Sequence, residues 1–295
     1  MKTFEVPYNF QPDFITRFKE HPQLCEAIEC VYLPAWHEDA ETARQDTNLV
    51  YEYPKTYQDW KSHVLRLKDE GMNPCILIQK CKDTFNVVEK YYEFGVRKFI
   101  INDDEAGRKL KEIHGNDIEL ILSITRVLSF EELCNEANDF SMYHHIVLFF
   151  YFNRHFDLIK QLPKKYKYSI IVNEHCFYNC KLHDEHWYMK FKDNNDFEVK
   201  DIQMKLKCHA CQLRTNEYAV DQDAYTTYID PHALGLIDDY IYCYKLVDRR
   251  MPTEIILYEV KRYAYHDNYY NVDDEKVKEQ QMLLGGMEDA IINTI

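Results

Sequence analysis

Two closely spaced thiol pairs are the chemistry this sequence offers first. Cys176 and Cys180 lie in the run VNEHCFYNC, and Cys208 and Cys211 in KCHAC. A C-x3-C pair followed by a C-x2-C pair supplies four thiolates, enough for one tetrahedral zinc ion or one iron–sulfur cluster. Spacing alone does not separate the two metals. Four histidines, His175, His183, His186 and His209, stand among the cysteines, and His183 with His186 can ligate from one helical face. The other six cysteines occur singly, four of them in or beside apolar runs, and are expected to pack as small hydrophobes.

Thiolates need elements that bring them together. From Cys25 onward, short β-branched apolar runs alternate with longer amphipathic stretches of helical period, the pattern of a parallel sheet crossed by helices. Strands are expected at 28–33, 75–79, 98–102, 119–124, 145–151, 168–172, 226–229 and 241–247. Eight strands in a chain of 295 residues predict a closed β/α (TIM-like) barrel, mainly parallel. Helices are expected at 57–69, 84–94, 104–113, 156–162 and 252–263. Gly71, Gly95 and Gly115 mark helix ends, and Ser129 with Glu132 forms a capping box.

The polar segment 183–223, between the expected sixth and seventh strands, reads as an insertion carrying the second cysteine pair. The barrel with this insertion is expected over 1–266. Residues 267–295 are expected to form a C-terminal tail with a helix over 273–284.

In a β/α barrel the loops after the strands share one face, so residues far apart in sequence converge there. Those positions are polar here: Asp103 and Asp104, Arg126, Asn153 and Arg154, Asn173 and Glu174, Asp230, then Asp248, Arg249 and Arg250. Each can equally cap the next helix or pair with a neighbour. Cys176 and Cys180 directly after a strand favour a functional mouth. Glu174 is a candidate acid or base. Arg249, Arg250 and Glu254 are candidates for positioning an anionic co-substrate, since guanidinium groups bind carboxylates in a bidentate manner; the alternative is an ion pair between Arg249 and Glu254.

Composition narrows the classes. A net charge of −14 disfavours nucleic-acid binding through a broad basic face. The longest apolar run, Ile146 to Phe152, falls far short of the roughly 20 residues that span a bilayer. MKTFEVPYNF lacks the apolar core of a secretory signal, so a reducing, cytoplasmic setting is expected. No H-E-x-x-H or G-x-S-x-G motif is present. Cys176, Cys180 and His183 match a radical-SAM C-x3-C-x2-C motif with its third cysteine replaced, but they follow a late strand where that motif follows the first.

The runs SIIVNEHCFYNCKLHDEH and TYIDPHALGLIDDYIYCYKLVDRRMPTEIILYEVKRY resemble the collagenase-like peptidase family U-32. The resemblance covers about Tyr168 to Tyr263, a third of the chain. It implies a β/α barrel with a [4Fe–4S] cluster on Cys176, Cys180, Cys208 and Cys211, zinc being the alternative occupant. It further implies an oxygen-independent hydroxylase or related redox enzyme acting on RNA, a small aromatic or a peptide. Two departures stand out: the cysteines are more tightly spaced than in the family's RNA and quinone hydroxylases, and Asp248 replaces a common glycine. A peptidase is the second reading. A non-catalytic subunit, stapled by its metal and working with a second barrel protein, is the third.

Overall fold

The computed structural model describes residues 2–40, 53–79, 81–174, 227–247, 249 and 251–265. Eight strands close into an all-parallel barrel in sequence order: β1 (Thr3–Pro7), β2 (Ile28–Pro34), β3 (Pro74–Leu77), β4 (Lys98–Ile101), β5 (Glu119–Leu122), β6 (His145–Val147), β7 (Tyr168–Ile171) and β8 (Cys243–Lys245). β8 pairs with both β7 and β1, which closes the ring. Around it run α1 (Phe14–Lys19), α2 (Pro22–Glu26), α3 (Tyr57–Asp69), α4 (Thr84–Glu93), α5 (Asp104–His114), α6 (Phe130–Cys134), α7 (Phe156–Ile159) and α8 (Thr253–Tyr265).

The expected barrel is therefore the observed one, with two corrections to its strand list. The first strand is Thr3–Pro7, which the alternation count missed because Glu5 interrupts Phe4 and Val6; those two face outward into the helical layer, and Glu5 faces inward. The run expected as the seventh strand adds no strand. Thr227, Tyr228 and Ile229 lie beyond the end of β7, and the slot beside β7 belongs to β8. The long connection consequently runs between β7 and β8. Residues 175–226 and the tail 266–295 lie outside the described residues.

Local signals explain most helices. In α3, Trp60, Val64 and Leu67 recur at helical spacing and are all fully buried. Val64 and Leu67 each contribute about 1.5–3 kcal/mol by leaving water. The Trp60 indole N–H also donates to the Pro34 carbonyl at the end of β2 (3.0 Å). Thr56 caps the helix by accepting from the Asp59 N–H. Gly71 ends it at φ +79°, a left-handed conformation that a side chain would strain. Ser129 and Glu132 form the expected capping box of α6.

Alternation along each strand separates two environments. Outward residues such as Val31, Ile76, Phe99, Leu120, Ile146 and Ile170 join the main core beneath the helices. Inward residues form a separate cluster: Cys30, Tyr32, Cys75, Leu77, Ile100, Ile121, Val147 and Ile171. On the β1–β8 side this interior turns polar, with Glu5, His145, Ser169 and Lys245 buried beside Cys243.

Candidate functional site

A pocket of about 70 Å³ opens where the strands end at their C-terminal side. Tyr32, Leu77, Ile100, Val147, Phe150 and Ile171 give it apolar walls, and Gln79, Ser123, Glu174, Lys245 and Arg249 give it polar groups. It has room for a carboxylate-sized group.

Beneath the pocket lies an ion pair. Lys245 and Glu5 are register partners on β8 and β1, and the Lys245 ammonium contacts Glu5 Oε2. Glu5 Oε1 contacts the His145 Nε2, and the Cys243 thiol donates to the same oxygen at 3.5 Å. Burial pushes the Glu5 pKa upward, but Lys245 and His145 outweigh it and hold the carboxyl well below its usual range. Lys245 obeys the converse balance: burial lowers its pKa, and Glu5 raises it above the ordinary lysine value. The ammonium also lies 3.8 Å from the centre of the Tyr32 ring, whose hydroxyl donates to the Leu246 carbonyl (2.6 Å). Lys245 thus presents a fixed positive charge to the pocket floor.

Side-chain bonds fix the start of the long β7–β8 connection, its residue Thr227 and the exit of β8 at this mouth. Asn173 accepts from the Val247 N–H (2.8 Å) and donates to the Val247 carbonyl (3.2 Å). Thr227 Oγ1 donates to the Glu174 carbonyl (2.9 Å), and the Asn153 amide donates to the carbonyls of Ile171 and Thr227 (2.7 and 2.5 Å). The Tyr263 hydroxyl of α8 lies 3.0 and 3.1 Å from the carbonyls of Val172 and Ile229. Glu174 and Thr227, the flanks of segment 175–226, therefore lie side by side.

The opposite end of the barrel is closed by charge. Lys98 pairs with Glu29 (2.6 Å) and Glu119 (3.0 Å), and the Tyr242 hydroxyl donates to the other Glu29 oxygen. Glu29, Glu119 and His144 form a second, half-buried group of possible ligands, but both of its carboxylates already pair with Lys98.

The candidate residues named from sequence divide as follows. Glu174 and Arg249 line the mouth together. Glu254 does not: it sits in the first turn of α8 and pairs with Arg17 of α1 at 2.5 Å, because α8 packs against α1 on the barrel's outside. Cys176, Cys180, Cys208 and Cys211, together with Asp248 and Arg250, lie outside the described residues. Asp103 and Asp230 serve as helix caps. Asp104 accepts from the Tyr143 hydroxyl and pairs with Arg126. Sequence reasoning missed Glu5, His145 and Lys245. Their signal is a charged or imidazole side chain at an inward position of a strand whose neighbours are apolar.

No protein-family model and no curated protein matches the chain. Among the described residues, no helix is long and apolar enough to cross a membrane.

Proposed function

We propose that the chain is an iron–sulfur β/α-barrel enzyme of the U-32-like peptidase type, an oxygen-independent hydroxylase or related redox modifier acting at the barrel mouth. The observation that carries this reading is the bond from Thr227 Oγ1 to the Glu174 carbonyl, which brings the two flanks of segment 175–226 of the β7–β8 connection together beside the pocket. Cys176 follows Glu174 by two residues, and all four clustered cysteines belong to that connection. Cys176, Cys180, Cys208 and Cys211 would hold the [4Fe–4S] cluster, and its contribution is one-electron transfer. Their all-thiolate donor set fits such a cluster, with zinc the competing occupant.

The chain's own residues do the rest. Lys245 and Arg249 give the pocket two cationic side chains for an anionic end of the substrate. Glu174, which lines the mouth, would serve as its acid or base. Apolar walls restrict water at the same point. The peptidase reading is weaker because Ser123, whose hydroxyl is 3.0 Å from that of Thr125, has no basic side chain bonded to it among the described residues. The described cysteines are all free thiols, which suits a reducing, cytoplasmic setting.

Purification without oxygen tests the reading. The expected product is brown, with about four irons and four sulfides per chain and both lost in Cys176→Ser. A colourless protein with stoichiometric zinc would overturn it.

A further inference from the structure

We infer that the barrel interior holds a second, separate metal site, in which Glu5, His145 and Cys243 bind one divalent transition ion, zinc by preference. These three residues come from β1, β6 and β8, are fully buried, and place their ligand atoms within 4.8 Å of one another. Cys243 Sγ is 3.5 Å from Glu5 Oε1 and 3.9 Å from His145 Nε2. A tetrahedral zinc with bonds of about 2.0–2.3 Å puts its ligand atoms about 3.5 Å apart. The third edge, between Glu5 and His145, is a hydrogen bond, so without the ion a proton holds together what the metal would bridge.

Two features around the triad match what surrounds metal ligands rather than what surrounds an ordinary buried ion pair. Glu5 splits its oxygens: Oε1 faces His145 and Cys243, while Oε2 meets Lys245. Ligation through Oε1 leaves the Lys245 contact intact as the outer partner that orients the carboxylate. His145 turns Nε2 to the triad and has His144 Nδ1 at 3.2 Å from its own Nδ1, an outer partner for the ring.

An independent observation points to a fourth donor. Ser169 stands in register with Cys243 on the neighbouring strand, so both side chains share the interior. Its Oγ is fully buried and, among the described residues, has no hydrogen-bond partner. A buried hydroxyl left unpaired is costly, and an ion, or a water bound to one, gives it a partner. Carboxylate, imidazole and thiolate together suit a borderline ion such as zinc better than a hard one such as magnesium. Binding takes the Cys243 side chain as its thiolate and so expels the thiol proton. Lys245, which lines the mouth pocket and contacts Glu5, puts the site one side chain below the pocket floor.

The test separates this site from the four clustered cysteines. In the full chain with Cys176, Cys180, Cys208 and Cys211 all changed to serine, anaerobic titration with cobalt(II) should load one equivalent and show a thiolate-to-cobalt charge-transfer band. Adding Cys243→Ser should abolish the band, adding His145→Gln should abolish tight uptake, and Lys245→Met should weaken uptake about 10–100-fold. No cobalt uptake by the parent variant, or uptake and band unchanged by Cys243→Ser, overturns the site. If the four-serine chain does not fold, zinc per chain in the wild type against Cys243→Ser decides: one equivalent fewer supports the site, and equal zinc overturns it. Loss of the iron–sulfur centre with retention of this zinc would count against the proposed function alone.

Discussion

Glu5 decides more than any other side chain of the barrel interior, because it is fully buried yet must stay ionised for Lys245. Removing one member of a buried pair strands the other charge, at a cost of about 3–5 kcal/mol. Glu5→Gln in metal-free buffer should lose that much in urea unfolding, while Glu5→Gln with Lys245→Met should recover most of it. The amide introduced by Glu5→Gln keeps an acceptor for His145, so the pair of variants isolates the ion pair. Equal destabilisation of both would show that packing, not charge, is what fails.

The same carboxyl sets an acid limb. Its folded pKa lies below its unfolded value, so the unfolded chain takes up the proton first, and the stabilisation present above about pH 4.3 is lost as pH falls below it. The Tm of the wild type should therefore drop more steeply between about pH 5 and pH 3 than that of Glu5→Gln/Lys245→Met. Parallel Tm curves would contradict the assignment. Nothing in the run TFEVP announces this role; an inward glutamate becomes meaningful only once β8 places Lys245 beside it.

At the scale of elements, the β7 end and the segment after β8 form one unit, stapled by Asn173 to both backbone groups of Val247. Asn173→Ala removes both bonds and leaves the Val247 groups without those partners, costing about 1–3 kcal/mol. It should also speed loss of iron during anaerobic dialysis, because it loosens the point from which the cysteine-bearing connection departs. Iron retention unchanged at reduced stability would separate the staple from the metal centre. Helices were the most legible elements, since Trp60, Val64 and Leu67 at helical spacing and a positive-φ glycine at Gly71 are local signals. The first strand was not legible, because its inward face carries a charge where a barrel strand usually carries an apolar residue.

For the whole molecule, seven correctly read strands alternating with helices indicated a parallel barrel, the count reaching eight because one missed strand offset one false one. The expected strand-end residues Glu174 and Arg249 do meet at one mouth. What sequence could not show is how the barrel's inside is divided. One half is apolar, and the other is a charged network running from the pocket floor at Lys245 to His145. Adjacency across strands β1, β6 and β8 creates that network, and no local pattern encodes it. Glu254 illustrates the converse: a promising neighbour of Arg249 in sequence, it is turned by α8 to the outside, toward Arg17.

The proposed iron–sulfur cluster would sit at the mouth formed by the C-terminal strand ends. Spin-label relaxation measures this directly. Tyr151, exposed just after β6 at the mouth end, and Ile113, exposed in the last turn of α5 toward the opposite end, offer two label positions attached by non-cysteine chemistry. In anaerobically reduced protein, the label at Tyr151 should relax markedly faster than in iron-free protein, and the label at Ile113 much less so. Equal enhancement at both positions, stronger enhancement at Ile113, or no iron-dependent change at Tyr151 would contradict the account.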